Sequence, residues 1–390
     1  MAQTERQRER VRLFRDAAQF RKTSRIPLFS SAVTWKVFDA GHTLEDAMTD
    51  YGVMEQCVRH FLDTYPVDAL LDTGIRNQFA VTEAFGSEGY YYYTPEAIGI
   101  RDHAHCTPDT LSQYMDDPIA YTWTRLLPEK YGAAWERKDL SVWKKTFRAY
   151  MDYTRFILRM ASITGKEYGL PSLAPNNPMN GAICFGIEKL ESDLLGIRQL
   201  SVALRRSPDK LADFIARWDA KHIDPLIEKI KKGKGPDEKY CFDASILMLA
   251  HNILSPAQFE RFYWPSLKRL LDAYAEKGMN VRIFAEGSIA RFTDYFRDYP
   301  AGLLTFHLEQ DDPFAFRRAL PNACIMGGMT TELLSGGTAE QWGEYAGRLC
   351  RELGAEGGYI YSENKMLSYR NDANPENLKA VYDFVTGYQL

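Results

Sequence analysis

The stretch SPAQFERFYWPSLKRLLDAYAEKGMNVRIFAEG, residues 255–287, shows the unit from which the fold is predicted. Ser255 can cap the first turn of a helix, Pro256 suits the first helical position, and Gly278 ends the helical pattern. The apolar run at residues 281–287 follows and ends in small and polar residues, which is typical of a buried parallel strand. This stretch therefore predicts one helix and strand of an α/β protein.

Eight apolar runs of this kind occur along the 390-residue chain, at residues 25–31, 68–74, 168–174, 239–245, 281–287, 302–309, 323–329 and 358–363. Eight parallel strands with intervening helices close into a (β/α)8 TIM barrel, whose polar working residues lie at the carboxyl ends of the strands. We therefore expect a single barrel domain over residues 1–390. The segment between the second and third runs is too long for one helix, so about residues 80–165 are interpreted as a large insertion covering the barrel mouth.

Composition limits the classes of function. Hydrophobic residues make up 45% and charged residues 26%, the formal net charge is -4, and both signs are mixed along the chain. A nucleic-acid or anionic-membrane partner is therefore not expected, and a small molecule or another protein is. The first residues lack the apolar segment of a signal peptide and no run of 18 apolar residues occurs, which predicts a cytoplasmic protein. The six cysteines contain no C-x-x-C pair, so neither a disulfide framework nor a zinc ribbon is indicated.

The C-terminal third resembles a known family. The segments IMGGMTTELLSGGTAEQWGEYAGRLCREL (325–353), GGYIYSENKM (357–366) and NPENLKAVYDFV (374–385) look like the closing part of uroporphyrinogen-decarboxylase-like proteins. Upstream, residues 249–288 are similar to that family's Ser-Pro helix and the strand after it. The resemblance implies the TIM barrel fold over most of the chain.

The chain departs from the decarboxylases of this family. Residues 26–41 hold no arginine where those enzymes carry arginines for the acid arms of a porphyrinogen, and Ser362-Glu363-Asn364 stands in place of a Gly-His-Gly. A tetrapyrrole with eight carboxylates needs several cations. Decarboxylation of uroporphyrinogen is therefore not expected.

The resemblance to the methyltransferase branch implies a zinc site at the strand ends. The branch's His and Cys positions fall on Phe284 and Glu286, and its Glu position falls on His307. The resulting Glu and His pair is similar to the zinc pattern of methyltransferases that demethylate methoxylated aromatic compounds. Glu286 and His307 are thus predicted as catalytic and metal-binding residues, with Glu363 as third ligand and His251 as its alternative. Oxygen and nitrogen donors are both ligands that zinc accepts.

Other polar and aromatic residues near predicted strand ends are candidates for contact with a substrate. A structural role is the alternative for each: hydrogen bonding for Asp243, turn chemistry for the asparagines, and packing for the aromatic side chains. His103 and His105 are interpreted as residues on one face of a strand in the insertion, and the tyrosines at positions 90–93 as a strand. The predicted substrate-binding residues are Asp243, Asn176, Asn180, Tyr369 and Trp35.

The implied reaction moves a methyl group from a methoxylated, aromatic donor to the Co(I) corrinoid of a partner protein. The partner is expected because the chain lacks the Asp-x-His-x-x-Gly segment that holds a corrinoid. Zinc would act on the ether oxygen as a Lewis acid. The alternatives are a decarboxylase or lyase acting on a small acid, and a non-catalytic ligand-binding or corrinoid accessory protein, since a fold alone does not separate these. The oligomeric state is left open, a homo-oligomer included.

Overall fold

The computed structural model describes residues 3–74, 79–86, 91–102, 104–136, 140–176 and 183–390. Nine strands lie in these ranges: β1 (Phe29–Ser30), β2 (Ala69–Leu70), β3 (Tyr91–Tyr93), β4 (Ile98–Ile100), β5 (Ala244–Met248), β6 (Val281–Ala285), β7 (Leu304–Leu308), β8 (Cys324–Met329) and β9 (Tyr359–Glu363).

Helices fill most of the remaining described chain. The α-helices are α1 (Glu5–Ala18), α2 (Trp35–Asp39), α3 (Leu44–Thr49), α4 (Tyr51–Thr64), α5 (Phe79–Ala84), α6 (Leu111–Asp116), α7 (Pro118–Tyr121), α8 (Leu127–Glu136), α9 (Leu140–Lys166), α10 (Gly186–Lys189), α11 (Gly196–Arg206), α12 (Pro208–Lys232), α13 (Pro256–Phe262), α14 (Trp264–Glu276), α15 (Pro313–Ala319), α16 (Thr331–Gly336), α17 (Ala339–Leu349) and α18 (Pro375–Gly387). Short 3-10 helices cover Ala250–Ile253, Ala290–Phe296 and Arg370–Asp372, and π-helical turns cover Thr122–Leu126, Leu190–Leu195 and Cys350–Gly354.

The sheet is the parallel barrel that the sequence predicts. Strands β5 to β9 are hydrogen-bonded to one another in chain order, all parallel, and β1 pairs with β2 in parallel. A parallel bridge between Leu28 and Tyr361 connects the β1 side to β9, and bridges at Ser172 and Ile183 connect the preceding chain to the β5 side. The described part of the chain thus forms the TIM barrel of a β/α protein.

The two halves of the barrel follow the prediction to different degrees. The last four predicted runs each contain one strand of the five-stranded sheet. The third run, residues 168–174, contributes the single bridge at Ser172. The fourth run was placed too early, because β5 begins only at Ala244. The side chain of Asp243, just before it, accepts hydrogen bonds from the backbone of Asp237 and Asn280 and fixes a turn at that point.

The single helix predicted after Ser255 is two helices. Ser255 accepts from the backbone of Gln258 in a capping box, as its residue type predicts. Pro265 has no N–H to continue the ladder of hydrogen bonds, and the chain restarts at Trp264 as α14. The sequence pattern therefore predicted the cap at Ser255 correctly and missed the break between the two helices.

Helix α1 closes the amino end of the barrel. Its residues Val11 and Phe14 belong to the same apolar cluster as Phe29, Met326 and Ile360, which point into the barrel. A second, larger cluster fills the layer between the strands and the outer helices. Apolar side chains of α1 and of the strands thus pack together at the amino end of the barrel.

The predicted insertion begins with α5 and ends with α9. Strands β3 and β4 form an antiparallel hairpin in it, which confirms a strand at Tyr91–Tyr93. The buried residues of α9 all lie in its second half, where they pack with residues of α3 and α4. The backbone N–H groups of His105 and Cys106 each donate a hydrogen bond of 2.8 Å to Leu194 O. The insertion therefore contacts the π-helical turn Leu190–Leu195, which precedes β5 in the chain. A single domain with a covered mouth stays a prediction.

No helix in the described ranges is both long and apolar enough to cross a membrane.

Candidate active site

The candidate site lies where the strands of the barrel end. Register places His307 level with Phe284 on β6 and with Met326 on β8. Glu286 follows β6 directly, two residues beyond Phe284, on the same face of that strand. The two residues that the sequence singles out therefore belong to successive layers of one interior, with Glu286 nearer the mouth.

His307 is buried in the barrel, with both ring nitrogens near polar groups. Nη2 of Arg282 lies 2.6 Å from its Nδ1, and the Ser362 hydroxyl lies 3.4 Å from its Nε2. The rings of Phe29 and Phe284 pack edge-on against it. Burial, with Arg282 beside it, holds the pKa of His307 well below its ordinary value.

Arg282 determines the tautomer of His307. A guanidinium only donates hydrogen bonds, so Nδ1 accepts and the ring proton lies on Nε2. Burial lowers the pKa of Arg282 to about 10, which leaves the guanidinium charged at neutral pH. His307 is therefore a neutral imidazole that donates towards Ser362. A metal bound at Nε2 would require that proton to leave and Arg282 to give up its acceptor.

Glu286 is exposed at the mouth. Its backbone N–H donates to Met248 O at 3.1 Å, and its carbonyl accepts from the Asn252 side chain at 2.6 Å, which ties the ends of β5 and β6 together. The next residue, Gly287, has a φ of +72°, a conformation that glycine adopts freely. Its N–H donates to the Glu309 carboxylate at 2.5 Å. The backbone here is held on both sides, and the Glu286 carboxylate is presented at the strand end.

Glu363 lies on the other face of its strand. Ser362 points to His307, and since side chains alternate along a strand, Glu363 points to the outer helices. Its carboxylate accepts from Ser31 N at 2.6 Å and from the Tyr382 hydroxyl on α18. Burial raises the pKa of this carboxyl group. Glu363 is thus a fully bonded link between β1, β9 and α18.

The three predicted zinc ligands are consequently not brought together. Over the described ranges, no group of three His, Cys, Asp or Glu side chains is placed to hold a metal ion. Glu363 faces away from the barrel interior, and the lone pair of His307 Nδ1 is used by Arg282. The residues in this arrangement do not fit a three-ligand zinc centre, and zinc stays a prediction from the resemblance.

His251, the alternative ligand, is buried beside Phe292. Neither of its ring nitrogens has a hydrogen-bond partner, and burial lowers its pKa to about 4. In the insertion, His105 Nδ1 lies 3.0 Å from a Glu129 carboxylate oxygen, and His103 lies outside the described residues. Neither of these two described histidines belongs to a group of three potential metal ligands.

Two predicted substrate contacts lie elsewhere. Asp243 precedes β5, at the amino end of the barrel, and forms a 2.6 Å ion pair with Arg15 of α1, so its placement at the mouth was wrong. Trp35 is buried in the core, where its Nε1 donates to Ala373 O at 3.0 Å and its ring contacts Phe61. The first correction follows from the late start of β5, and the second from the large apolar surface that Trp35 buries in helical packing.

The remaining predicted contacts are placed as follows. The Asn176 side chain donates to Ser245 O at 2.6 Å and accepts from Ser245 N at 2.9 Å, so it pairs with β5 as a strand backbone would. Tyr369 is half exposed just before the last 3-10 helix, and Lys365 lies over its ring. Asn180 lies outside the described residues.

Two carboxylates that the sequence reading missed lie beside Glu286. Glu188, at the end region of α10, accepts from Leu249 N, Ala250 N and the Tyr263 hydroxyl, the last at 2.6 Å. Glu191 lies in the π-helical turn that follows, a feature that often marks functional positions. It is 8% exposed, and its Oε2 has no hydrogen-bond partner.

The missed carboxylates interact electrostatically with each other and with Glu286. Burial, and then the charge of Glu286, raise the pKa of Glu188 to about 7 although three hydrogen bonds oppose the rise. Burial, Glu188 and Glu286 raise the pKa of Glu191 to about 8. In sequence these residues read as the polar positions of an amphipathic helix, GIEKLESDLL, so spacing alone gave no signal of them. We call Glu188, Glu191 and Glu286 the acidic cluster.

Three cations in the described part of the chain, Lys189, Arg291 and Lys36, are engaged by other partners. Lys189 Nζ binds the Asp193 carboxylate at 2.6 Å and lies over the ring of Trp218. Arg291 donates to backbone carbonyls of the 3-10 turn after β5, and Lys36 forms a buried ion pair with Asp72. These three side chains are thus bound to partners other than the acidic cluster.

Fold and site together define a (β/α)8 barrel protein with a polar mouth at the carboxyl ends of its strands. The profile of the family described as uroporphyrinogen decarboxylase (URO-D) matches residues 194–388, half of the chain, and the chain belongs to this family. Among solved structures, a methyltransferase from Methanosarcina mazei is similar, with a TM-score of 0.56 and 12% identity over 96% of this chain and 97% of that chain. At that identity the likeness concerns the fold. A comparison with curated proteins gives no match.

Proposed function

We propose that this protein is a methyltransferase that takes a methyl group from a small methylated donor bound at the barrel mouth and passes it to the Co(I) corrinoid of a partner protein. Family membership and the fold shared with a methanogen methyltransferase support this class. The observation that carries the proposal is the acidic mouth. Glu188, Glu191 and Glu286 stand where a substrate with many carboxylates would need cations.

The chain's own residues would bind and orient the donor. The bonded backbone at Glu286 and Gly287 fixes the rim of the mouth. Below it, neutral His307 packs with Phe284 and Phe29 in the buried interior of the barrel. A rigid rim would hold the methyl carbon in one orientation for attack, which is the main contribution a protein makes to a bimolecular transfer.

The donor predicted from the resemblance is a methoxylated aromatic compound, and zinc is its predicted activator. Since the described residues do not form a three-ligand metal centre, no step through zinc is derived. The zinc prediction is tested separately, by measuring the metal content of the purified protein. If the prediction holds, stoichiometric zinc is present and is lost in a Glu286→Ala, His307→Ala double variant.

A visible-spectrum assay tests the proposed function. The full chain is mixed with a corrinoid protein, a reductant that produces Co(I), and a panel of O-methyl, N-methyl and S-methyl donors. The expected result is a methyl-corrinoid spectrum with at least one donor class, dependent on the chain. Methyl iodide serves as the positive control, because it methylates Co(I) without an enzyme.

The outcome that contradicts the proposal is a corrinoid that methyl iodide methylates and the chain does not, whichever donor is supplied. Release of CO2 from a small acid without corrinoid would favour the decarboxylase alternative. Donor binding without any turnover would favour the accessory-protein alternative.

A further inference from the structure

We propose that the acidic cluster binds the positively charged nitrogen of an N-methylated donor, so that the methyl group is transferred from an ammonium cation and not from an ether. This inference rests on the proposed function and names its substrate class. It is carried by the position of the acidic cluster at the mouth, by the unpartnered buried oxygen of Glu191, and by the engagement of the described cations Lys189 and Arg291 elsewhere.

Glu191 is the observation that points to a ligand. Its side chain is more than nine-tenths buried, and its Oε2 has no hydrogen-bond partner. A buried carboxyl oxygen that no protein group satisfies costs free energy, which a bound ligand with a matching group would recover. The Glu188 carboxylate, one helical turn away, is satisfied by two backbone N–H groups and Tyr263. Both carboxylates are buried, but only the Glu188 carboxylate is fully satisfied by protein groups.

The missing partner is a positive charge. Glu188 and Glu286 both act on Glu191 with the same sign of charge, and Asp102 adds to them. Lys189, between the two glutamates in sequence, is directed to Asp193. A cation entering the cluster stabilises the ionised carboxylates and lowers the pKa of Glu191 and Glu188 towards ordinary values.

The geometry favours an organic cation over a metal ion. Carboxylates bind a metal ion at about 2.0 to 2.6 Å, which demands that their oxygens converge on one point. The described side chains do not converge in that way, although the three glutamates lie within electrostatic range of one another. A methylated ammonium group spreads its charge over several methyl groups and is larger, so it suits carboxylates that do not converge on one point.

The chemistry of transfer is consistent with a cationic donor. The carbon–nitrogen bond breaks with its electron pair on nitrogen, and the donor leaves as a neutral amine. The methyl carbon bonds to the nucleophile, the Co(I) centre of the partner in the proposed function, which supplies the electron pair. No proton is consumed, because the positive charge of the donor is discharged by bond cleavage.

Binding of a matched pair of probes tests this inference. Choline and 3,3-dimethyl-1-butanol have the same shape, and only choline carries a charge; phenyltrimethylammonium and 4-methoxybenzyl alcohol represent aromatic N-methyl and O-methyl donors. Titration calorimetry at pH 8 compares wild type with Glu191→Gln, which keeps the side-chain shape. Glu228→Gln, an exposed carboxylate on α12, is the matched control. Thermal unfolding checks that each variant is folded.

At least one ammonium probe is expected to bind wild type and Glu228→Gln about tenfold or more tightly than its neutral counterpart, and Glu191→Gln is expected to lose that preference. If Glu191→Gln does not fold, Glu286→Gln at the exposed edge of the cluster takes its place with the same expectation. Equal binding of charged and neutral probes, or a preference that survives both variants, would overturn the inference. Zinc binding abolished by Glu191→Gln would overturn it too, since the cluster would then be a metal site.

The assay of the proposed function separates the two failures. Methyl transfer from 4-methoxybenzyl alcohol and not from the ammonium probes would contradict the ammonium-donor inference and support the proposed methyltransferase function. Charge-selective binding with no methyl transfer from any donor would contradict the proposed methyltransferase function and support the cation-binding site.

Discussion

Two buried glutamates, Glu363 on the outer face of β9 and Glu191 at the mouth, differ in what surrounds their carboxyl groups. Glu363 accepts from Ser31 N and from the Tyr382 hydroxyl, so protein groups satisfy it. Glu191 keeps an oxygen without a partner beside two further carboxylates. Burial alone therefore does not indicate function. A buried charge that the protein satisfies holds elements together, and one that it leaves unsatisfied is available to a ligand.

The largest effect is expected from Glu363→Ala. The substitution leaves Ser31 N without an acceptor, leaves the Tyr382 hydroxyl with Ser30 Oγ alone and opens a space between β9 and α18, so the free energy of unfolding should fall by about 3 kcal/mol or more. Urea denaturation measures it. Tyr382→Phe, which removes one donor only, is the control and should cost about 1 kcal/mol. A loss below 1 kcal/mol for Glu363→Ala would show that this carboxylate is not a structural link.

His307→Leu is expected to cost about 2 kcal/mol, because it leaves an N–H of the buried Arg282 guanidinium without its acceptor. Denaturant unfolding measures the loss, and Arg282→Met, His307→Leu is the comparison in which both polar partners are removed. The double variant should recover part of the loss. Failure to recover any would mean that the imidazole acts by packing and not as an acceptor for Arg282.

His307 is also expected to stay neutral, with its proton on Nε2, at neutral pH and above. The direction of its pKa shift and the donor-only guanidinium on Nδ1 both require this. Nitrogen NMR of histidine-labelled protein reports the tautomer and its titration. Titration of His307 in this range would contradict the arrangement described above.

The smallest effect is expected from Glu191→Gln at pH 5, where the free energy of unfolding should change by less than about 0.5 kcal/mol, because the wild-type carboxyl group is then protonated and resembles the amide. The folded-state pKa of about 8 lies above the ordinary value of 4.5. The folded state therefore holds a proton that the unfolded state has lost, and wild-type stability falls as pH rises from 5 to 8. The variant should become progressively more stable than wild type over that range in urea titrations. A difference independent of pH would show that Glu191 is ionised throughout.

The barrel could be predicted from sequence to the extent that its strands are regular. The last four apolar runs became β6 to β9, and the family motifs after about residue 240 fall within the matched region. The start of β5 could not be predicted, since it depends on Asp243 reaching Asn280 and Arg15, residues far away along the chain. Likewise Pro265 was visible in the sequence, and only the structure shows that the helix restarts there.

The site was predicted less completely than the fold. The sequence by itself determined the β/α order, the absence of arginines at residues 26–41, and Glu286 and His307 as residues of one barrel interior. Only the tertiary structure decided that Glu363 faces the helices and that Arg282 donates a hydrogen bond to Nδ1 of His307. It also decided that Glu188 and Glu191 lie near Glu286. The physical reason is that strand patterns are local and repeat every two residues, whereas the partner of a buried charge comes from another element, at a distance along the chain that no spacing encodes.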